Sequence, residues 1–286
     1  MWRSLLFVPI LNERLLGGAA ARGADALVLD LEAGVQPDRK QEARAALTGA
    51  VSGLRTASAD IAVRVNPLQS GGTDDLAAAI EAGADLIVVP QATVASTRQA
   101  ADLAGARPII PLIETPRGVI DALAIAEAAP TVAGLGLGVE DYATEMRAPP
   151  TPDLLLPAAF QVAQAARAAG CEPLLIPDTI ADVRDLSRFE AAALKSRALG
   201  AGGCFAIHPG QVEVLNRVFM PSDQELLEAR EIIALAEKIS RSGGAIALHD
   251  QKMIDAPIVA RARMVLAVGR RFKGASLSPP EAENKT

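Results

Sequence analysis

Eight short apolar runs punctuate the first three-quarters of the chain, at 4–9, 26–31, 61–66, 86–90, 109–113, 132–139, 173–176 and 204–207. Each is continuously apolar instead of alternating, the pattern of strands covered on both faces. Between them lie Ala-rich stretches with helical periodicity, such as 38–53, 74–82, 116–128, 152–169 and 181–199. Thr73, Thr115 and Thr151 stand where these helices start, and Gly23, Gly83, Gly105, Gly170 and Gly200 stand where helices stop, just before the next strand. Strand–helix units repeated in this way imply a parallel sheet. Eight of them in about 220 residues fit a (βα)₈ TIM barrel. The rival is an open doubly wound sheet, which would carry a Gly-rich fingerprint after its first strand, and none is there. The run Gly134-Leu135-Gly136-Leu137-Gly138 lies inside the sixth strand, and the third glycine of a dinucleotide pattern would fall on Val139. The expected fold is therefore an α/β barrel over residues 1–241. A C-terminal helical extension over 242–286 follows, with a disordered tail from about 274.

Composition narrows the function. The chain is 22% charged and 3% aromatic, with a formal net charge of −6 and no long Lys/Arg run. It therefore lacks the cations that neutralise phosphates and the rings on which bases stack, which excludes nucleic acid as a partner. No run reaches the roughly 18 apolar residues of a membrane span. The apolar N-terminal run is broken by Pro9 and leads into Asn12-Glu13-Arg14, unlike a signal peptide, so a cytoplasmic location is expected. Cys171 and Cys204 have no metal-ligand spacing and read as buried, reduced thiols.

A barrel of this kind does its chemistry at the C-terminal ends of its strands. Those ends read Asp30-Leu31-Glu32, Arg64-Val65-Asn66, Pro90-Gln91, Glu114-Thr115, Glu140-Asp141, Pro177-Asp178 and His208-Pro209. Hard oxygen ligands without paired Cys or His suit Mg²⁺ or Mn²⁺ and argue against zinc. Glu114 and Asp141 end adjacent strands 27 residues apart, and neighbouring strands lie about 4.8 Å apart, so both carboxylates can reach one cation. The alternative is that they cap helices or pair with Arg117 and Arg147. Arg64 closes an otherwise apolar strand and needs an anion, either a substrate oxygen or Glu32. Asp30 and Glu32 point the same way, so at least one can support the metal from behind its ligands. His208 reads as a hydrogen-bonded wedge before Pro209. With only His249 besides, a Ser–His–Asp relay is disfavoured.

These phrases resemble the citrate lyase β-subunit-like family of the HpcH/HpaI aldolase superfamily, which includes malyl-CoA and citramalyl-CoA lyases. Matching segments run in order along the chain. They are Arg3-Ser4-Leu5-Leu6-Phe7-Val8-Pro9, Asp30-Leu31-Glu32, Arg64-Val65-Asn66, Ile113-Glu114-Thr115, Gly138-Val139-Glu140-Asp141, Ile207-His208-Pro209-Gly210-Gln211 and Lys252-Met253-Ile254-Asp255-Ala256-Pro257. The resemblance implies that Glu114 and Asp141 bind Mg²⁺, that Glu114 also contacts substrate, and that Arg64 holds the substrate oxygen at the reacting centre. It also implies that Asp255, on an extension closing over a neighbouring subunit's site, donates or accepts a proton; Glu32 is counted with Arg64 and Asp255 as catalytic. A homo-oligomer, a trimer or hexamer with exchanged lids, goes with this. The chain departs from the pattern at Ile10, where Gly is usual, at Ala33-Gly34, where Asp-Ala is usual, at Gln91, where Lys is usual, and at Gln251, where Gly is usual.

The reaction expected is Mg²⁺-dependent cleavage of a short-chain 3-hydroxyacyl-CoA thioester to an acyl-CoA and a 2-keto acid. Two alternatives stand beside it. One is an aldolase acting on free keto or hydroxy acids without CoA, which the absent Lys at Gln91 favours. The other is a barrel that binds metal and dicarboxylate without turnover. Outside the barrel, Ser222 is expected to cap a helix reaching about Ser240, 242–244 to be a flexible joint, and 256–268 to be a helix suited to docking on another subunit.

Overall fold

The computed structural model describes residues 1–55, 58–241, 247–249 and 252–273. The expected flexible joint at 242–244 and the disordered tail from 274 lie outside the described residues. Two compact units are formed, Met1–Phe219 and Met220–Thr286. Helix Asp223–Arg241 therefore groups with the second unit, whereas the sequence reading counts it with the barrel.

The first unit is a (βα)₈ TIM barrel. Its strands are β1 (Ser4–Pro9), β2 (Ala26–Asp30), β3 (Asp60–Arg64), β4 (Leu86–Val89), β5 (Ile109–Ile113), β6 (Gly134–Leu137), β7 (Glu172–Leu174) and β8 (Cys204–Ala206). All neighbours are parallel, in the order β7-β6-β5-β4-β3-β2-β1-β8. Between β7 and β8 the ring closes through a single parallel bridge, Leu174 to Gly203. There the N–H of Leu175 donates to the Gly203 carbonyl at 3.1 Å, and that of Gly202 to the Pro173 carbonyl at 3.0 Å.

Side chains alternate along each strand between two apolar layers. Leu5, Val28, Ala62, Val88, Leu112 and Phe205 fill the barrel interior. Leu27, Leu29, Ile61, Val63, Ile87 and Val89 pack outward beneath the helices. There Ala43, Ala79, Ala100, Ala159 and Ala163 are buried, letting the helices approach the sheet closely. The expected glycine stops all have positive φ, between 64° at Gly105 and 90° at Gly200. Thr115 caps as expected, its Oγ1 accepting from the Gly118 N–H at 2.9 Å. Thr73 does not: helix Gly72–Glu81 begins ahead of it. The stretch 116–128 is two short helices, Pro116–Ile120 and Ala122–Ala126.

In the second unit, Ser222 and Glu225 cap helix Asp223–Arg241 reciprocally, with bonds of 3.1 and 2.7 Å. Helix Ala256–Lys273, longer than expected, packs against Asp223–Arg241. Strands Ala247–His249 and Lys252–Ile254 pair antiparallel. No helix among the described residues is long and apolar enough to cross a membrane.

Candidate active site

A cavity of about 430 Å³ opens at the C-terminal ends of the strands, and Asp30, Arg64, Glu114, Glu140 and Asp141 contribute its charged lining along with Arg22. Asp30 and Arg64 are register partners at the ends of β2 and β3. Arg64 Nε and Nη2 each donate to an Asp30 carboxylate oxygen at 2.8 Å, and Nη1 lies 2.9 Å from Glu32 Oε2. The guanidinium also lies over the Phe7 ring, 4.3 Å from its centroid, and Phe7 stacks on Phe205 at 5.2 Å. The pairing with Glu32, one of the two expected anions, is thus formed, and Asp30, which was not named for it, supplies two of the three contacts. Asp30 additionally accepts from the Glu32 N–H at 2.9 Å and the Gly34 N–H at 2.7 Å, shaping the loop that carries Glu32.

Glu114 follows β5 and is 3% exposed. Burial, then the negative charge of Glu32, pushes its pKa up to about 8 against the pull of a hydrogen bond from the Gln91 N–H to Oε2 at 2.6 Å. Gln91 is left-handed, with φ 47°, which turns its N–H toward Glu114. Beneath Glu114 sits Gly138: a Cβ there would stand 2.5 Å from Glu114 Cγ, so only the absence of a side chain lets the carboxylate lie where it does.

Asp141 also lines the cavity, and its charge raises the pKa of both Glu114 and Glu32. Its setting differs from the expected strand end. Strand β6 stops at Leu137, and Glu140 and Asp141 occupy the first turn of helix Val139–Glu145, where the helix dipole favours acids. Glu140 accepts a hydrogen bond from the Thr179 hydroxyl, tying this helix to the loop after β7. Burial raises the Glu32 pKa as well, with Arg64 opposing.

The structure therefore brings Arg64, Glu32, Glu114 and Asp141 together. Asp255 belongs to the C-terminal unit, where its Oδ1 accepts from the Ile258 N–H at 3.3 Å as a helix cap. His208 also caps a helix, its Nδ1 accepting from the Gly210 N–H at 3.1 Å. Both cysteines are free and buried, which pushes Cys171 up to about 11 and Cys204 up to about 12. Among the described residues no three His, Cys, Asp or Glu side chains form a cage that could hold a metal alone. Acidic side chains crowded into a cleft whose nearest cation is already paired nonetheless suit a divalent ion held by one or two carboxylates, with substrate oxygens completing its shell.

Sequence reasoning passed over Phe7, Lys40 and the backbone of Gln91. Lys40 Nζ donates to the carbonyls of Leu31 and Glu32 at 2.7 and 2.6 Å, clamping the loop after β2. Phe7 had a signal, an aromatic at an inward position of β1 near the mouth. The other two act on or through backbone atoms, which side-chain types do not announce.

A family model described as HpcH/HpaI aldolase/citrate lyase matches residues 3–209. The chain belongs to this family. It is 32% identical over 281 residues to citrate lyase subunit beta of Escherichia coli, covering 93% of this chain and 92% of that one. To (3S)-malyl-CoA thioesterase of Cereibacter sphaeroides it is 35% identical over 271 residues, covering 93% and 94%. The crystal structure of CitE from Mycobacterium tuberculosis in complex with magnesium, acetoacetate and coenzyme A superposes with a TM-score of 0.75 at 28% identity, over 93% of this chain and 97% of that one. Family membership covers nearly the whole barrel, including every charged residue of the cavity.

Proposed function

We propose that this protein is a Mg²⁺-dependent carbon–carbon lyase that cleaves a short-chain 3-hydroxyacyl-CoA thioester to an acyl-CoA and a 2-keto acid. The observation that carries the reading is the buried Glu114, held at a pKa of about 8 beside Asp141 and Glu32 and facing a cavity that also presents Arg64. A carboxylate so placed is stabilised by a cation. The relatives with bound magnesium, with pyruvate or acetoacetate, and with coenzyme A support the choice of ion and substrate class.

Glu114 and Asp141 would hold Mg²⁺, which supplies Lewis-acid polarisation and a template for the carboxylate and hydroxyl oxygens of the substrate. Glu32, its pKa raised by burial, takes the proton of the 3-hydroxyl group. The bond between the hydroxyl carbon and the carbon next to the thioester then breaks, and its electron pair becomes a thioester enolate. Arg64 is oriented by Asp30 and Phe7 to meet the enolate oxygen with N–H groups already in place. Asp255 protonates the enolate carbon and releases the acyl-CoA. This last assignment, with lid exchange in a homo-oligomer, follows the family resemblance.

Incubation with Mg²⁺ and a panel of malyl-, citramalyl- and citryl-CoA, beside the free hydroxy and keto acids, tests the reading by mass spectrometry. Acyl-CoA and 2-keto acid should form in equal amounts and stop forming on addition of a chelator. Release of free CoA and intact hydroxy acid would replace the lyase by a thioesterase, and turnover of free acids alone would restore the aldolase alternative.

A further inference from the structure

Outside the cavity, Asp75 is wholly buried, at 0% exposed, in the first turn of helix Gly72–Glu81. A carboxylate there needs partners, and it has three. Arg44 Nη1 lies 2.9 Å from Oδ1, and the Asn66 backbone N–H and side-chain amide donate to Oδ2 at 2.8 and 2.5 Å. A carboxylate only accepts, so the Asn66 amide must turn its NH₂ toward Asp75. The second hydrogen of that NH₂ is then given to the Leu31 carbonyl at 2.9 Å. A Cβ on Gly72 would overlap the Asn66 carbonyl, so the helix carrying Asp75 seats against this residue only through a glycine.

The Leu31 carbonyl takes a second bond from Lys40 Nζ at 2.7 Å, and Lys40 also reaches the Glu32 carbonyl at 2.6 Å. Lys40 and Arg44 stand four residues apart on helix Lys40–Leu54, so one helix face sends both cations into this network. On its other side Leu31 donates its N–H to the Arg64 carbonyl at 3.0 Å, and Glu32 donates its N–H to Asp30. Every polar backbone atom of Leu31 and Glu32 is therefore bonded within the protein. Loop backbone beside a cleft is ordinarily left to water. Here a buried ion pair and a lysine are spent on holding two loop residues, and one of them must keep its carboxylate 2.9 Å from Arg64 Nη1.

We propose that Lys40 and Asn66, the latter aimed by Asp75, are positioning residues for the proton transfer at Glu32. They fix the Glu32 backbone so that its carboxylate stays against Arg64 and within reach of the substrate hydroxyl. The proposal rests on the reading of Glu32 as the base of the lyase reaction. Misplacing a reacting group by about 1 Å costs on the order of 10²-fold in rate, so losing one arm of the clamp is expected to act on kcat.

The test compares Lys40→Met, Lys40→Arg and Asn66→Leu with the wild type, on the thioester that the wild type cleaves. Rates are taken per Mg²⁺-binding site counted by calorimetric titration, which removes any loss through misfolding. Lys40→Met and Asn66→Leu should each lower kcat about tenfold or more while KM stays within about twofold. Lys40→Arg, which keeps a cation able to reach both carbonyls, should recover most of the rate. Amide hydrogen exchange of residues 30–36, read by mass spectrometry, should quicken about tenfold in Lys40→Met. If Asn66→Leu does not fold, the two Lys40 variants decide alone. An unchanged kcat in Lys40→Met, a loss confined to KM, a Lys40→Arg variant as slow as Lys40→Met, or unchanged exchange overturns the proposal. The exchange measurement does not require turnover. A wild type that cleaves no thioester, with exchange quickened in Lys40→Met, would therefore sink the lyase reading and leave the clamp standing.

Discussion

Glu114 carries the clearest consequence at the scale of single residues. Its pKa in the fold is about 8 against 4.5 for an unperturbed glutamate, so the folded protein binds more protons than the unfolded chain between those values. Its contribution to stability is therefore fully present below pH 4.5 and is lost as pH rises through 8, by at most about 1.4 kcal/mol per pH unit. Chemical denaturation of the metal-free protein across this window should show that decline, and Glu114→Gln should flatten the difference. A wild-type profile parallel to that of Glu114→Gln would mean the carboxylate is not held as described. Arg64 yields a second test. Its fork is matched to Asp30 through two parallel bonds of 2.8 Å, which a lysine cannot reproduce. Arg64→Lys should cut kcat by about 10²-fold or more, and Asp30→Asn, which keeps one neutral partner, by about tenfold, both read from steady-state kinetics. These two positions stand out in the sequence because each closes or follows an apolar run, where a buried charge needs a partner.

Elements explain the glycine run of β6. Gly136 leaves space for Leu112 and Phe205, and Gly138 leaves space for Glu114, so the strand is thin where its neighbours are bulky. Gly138→Ala should displace the Glu114 side chain, destabilise the fold by about 1–3 kcal/mol and weaken Mg²⁺ binding in a calorimetric titration. Retention of wild-type metal affinity would count against Glu114 as a ligand. The sequence showed that this run was not a dinucleotide loop, but not what the missing side chains made room for. That information is in the pairing of β5 with β6 and of β6 with β7, which brings residues distant in the chain into one layer. The helical placement of Asp141 was hidden for a similar reason. The apolar run continues through Val139 up to Glu140-Asp141, and only the end of the ladder at Leu137 shows where the strand gives way. By contrast, all five glycine stops were legible, since a positive φ after a helix is a local demand.

For the whole molecule, the division into a barrel unit and a C-terminal unit makes the role of Asp255 testable without knowing the assembly. Asp255→Asn should depress turnover while leaving Mg²⁺ binding in place. Mixing this variant with Glu114→Gln under conditions of subunit exchange should restore part of the activity if one subunit's Asp255 serves another's barrel. Absence of recovery, with exchange verified, would assign Asp255 to its own chain or to no catalytic part. The seam of the barrel has a different consequence. Strand β1 finds its second neighbour in β8, with Ser4 opposite Cys204, and the ring is completed by the one bridge at Gly203. On the ribosome, the first strand must therefore wait, with one edge bare, until some two hundred further residues have been made. Pairing β1 with β8 is thus the longest loop closure in the unit and the natural place for folding to stall.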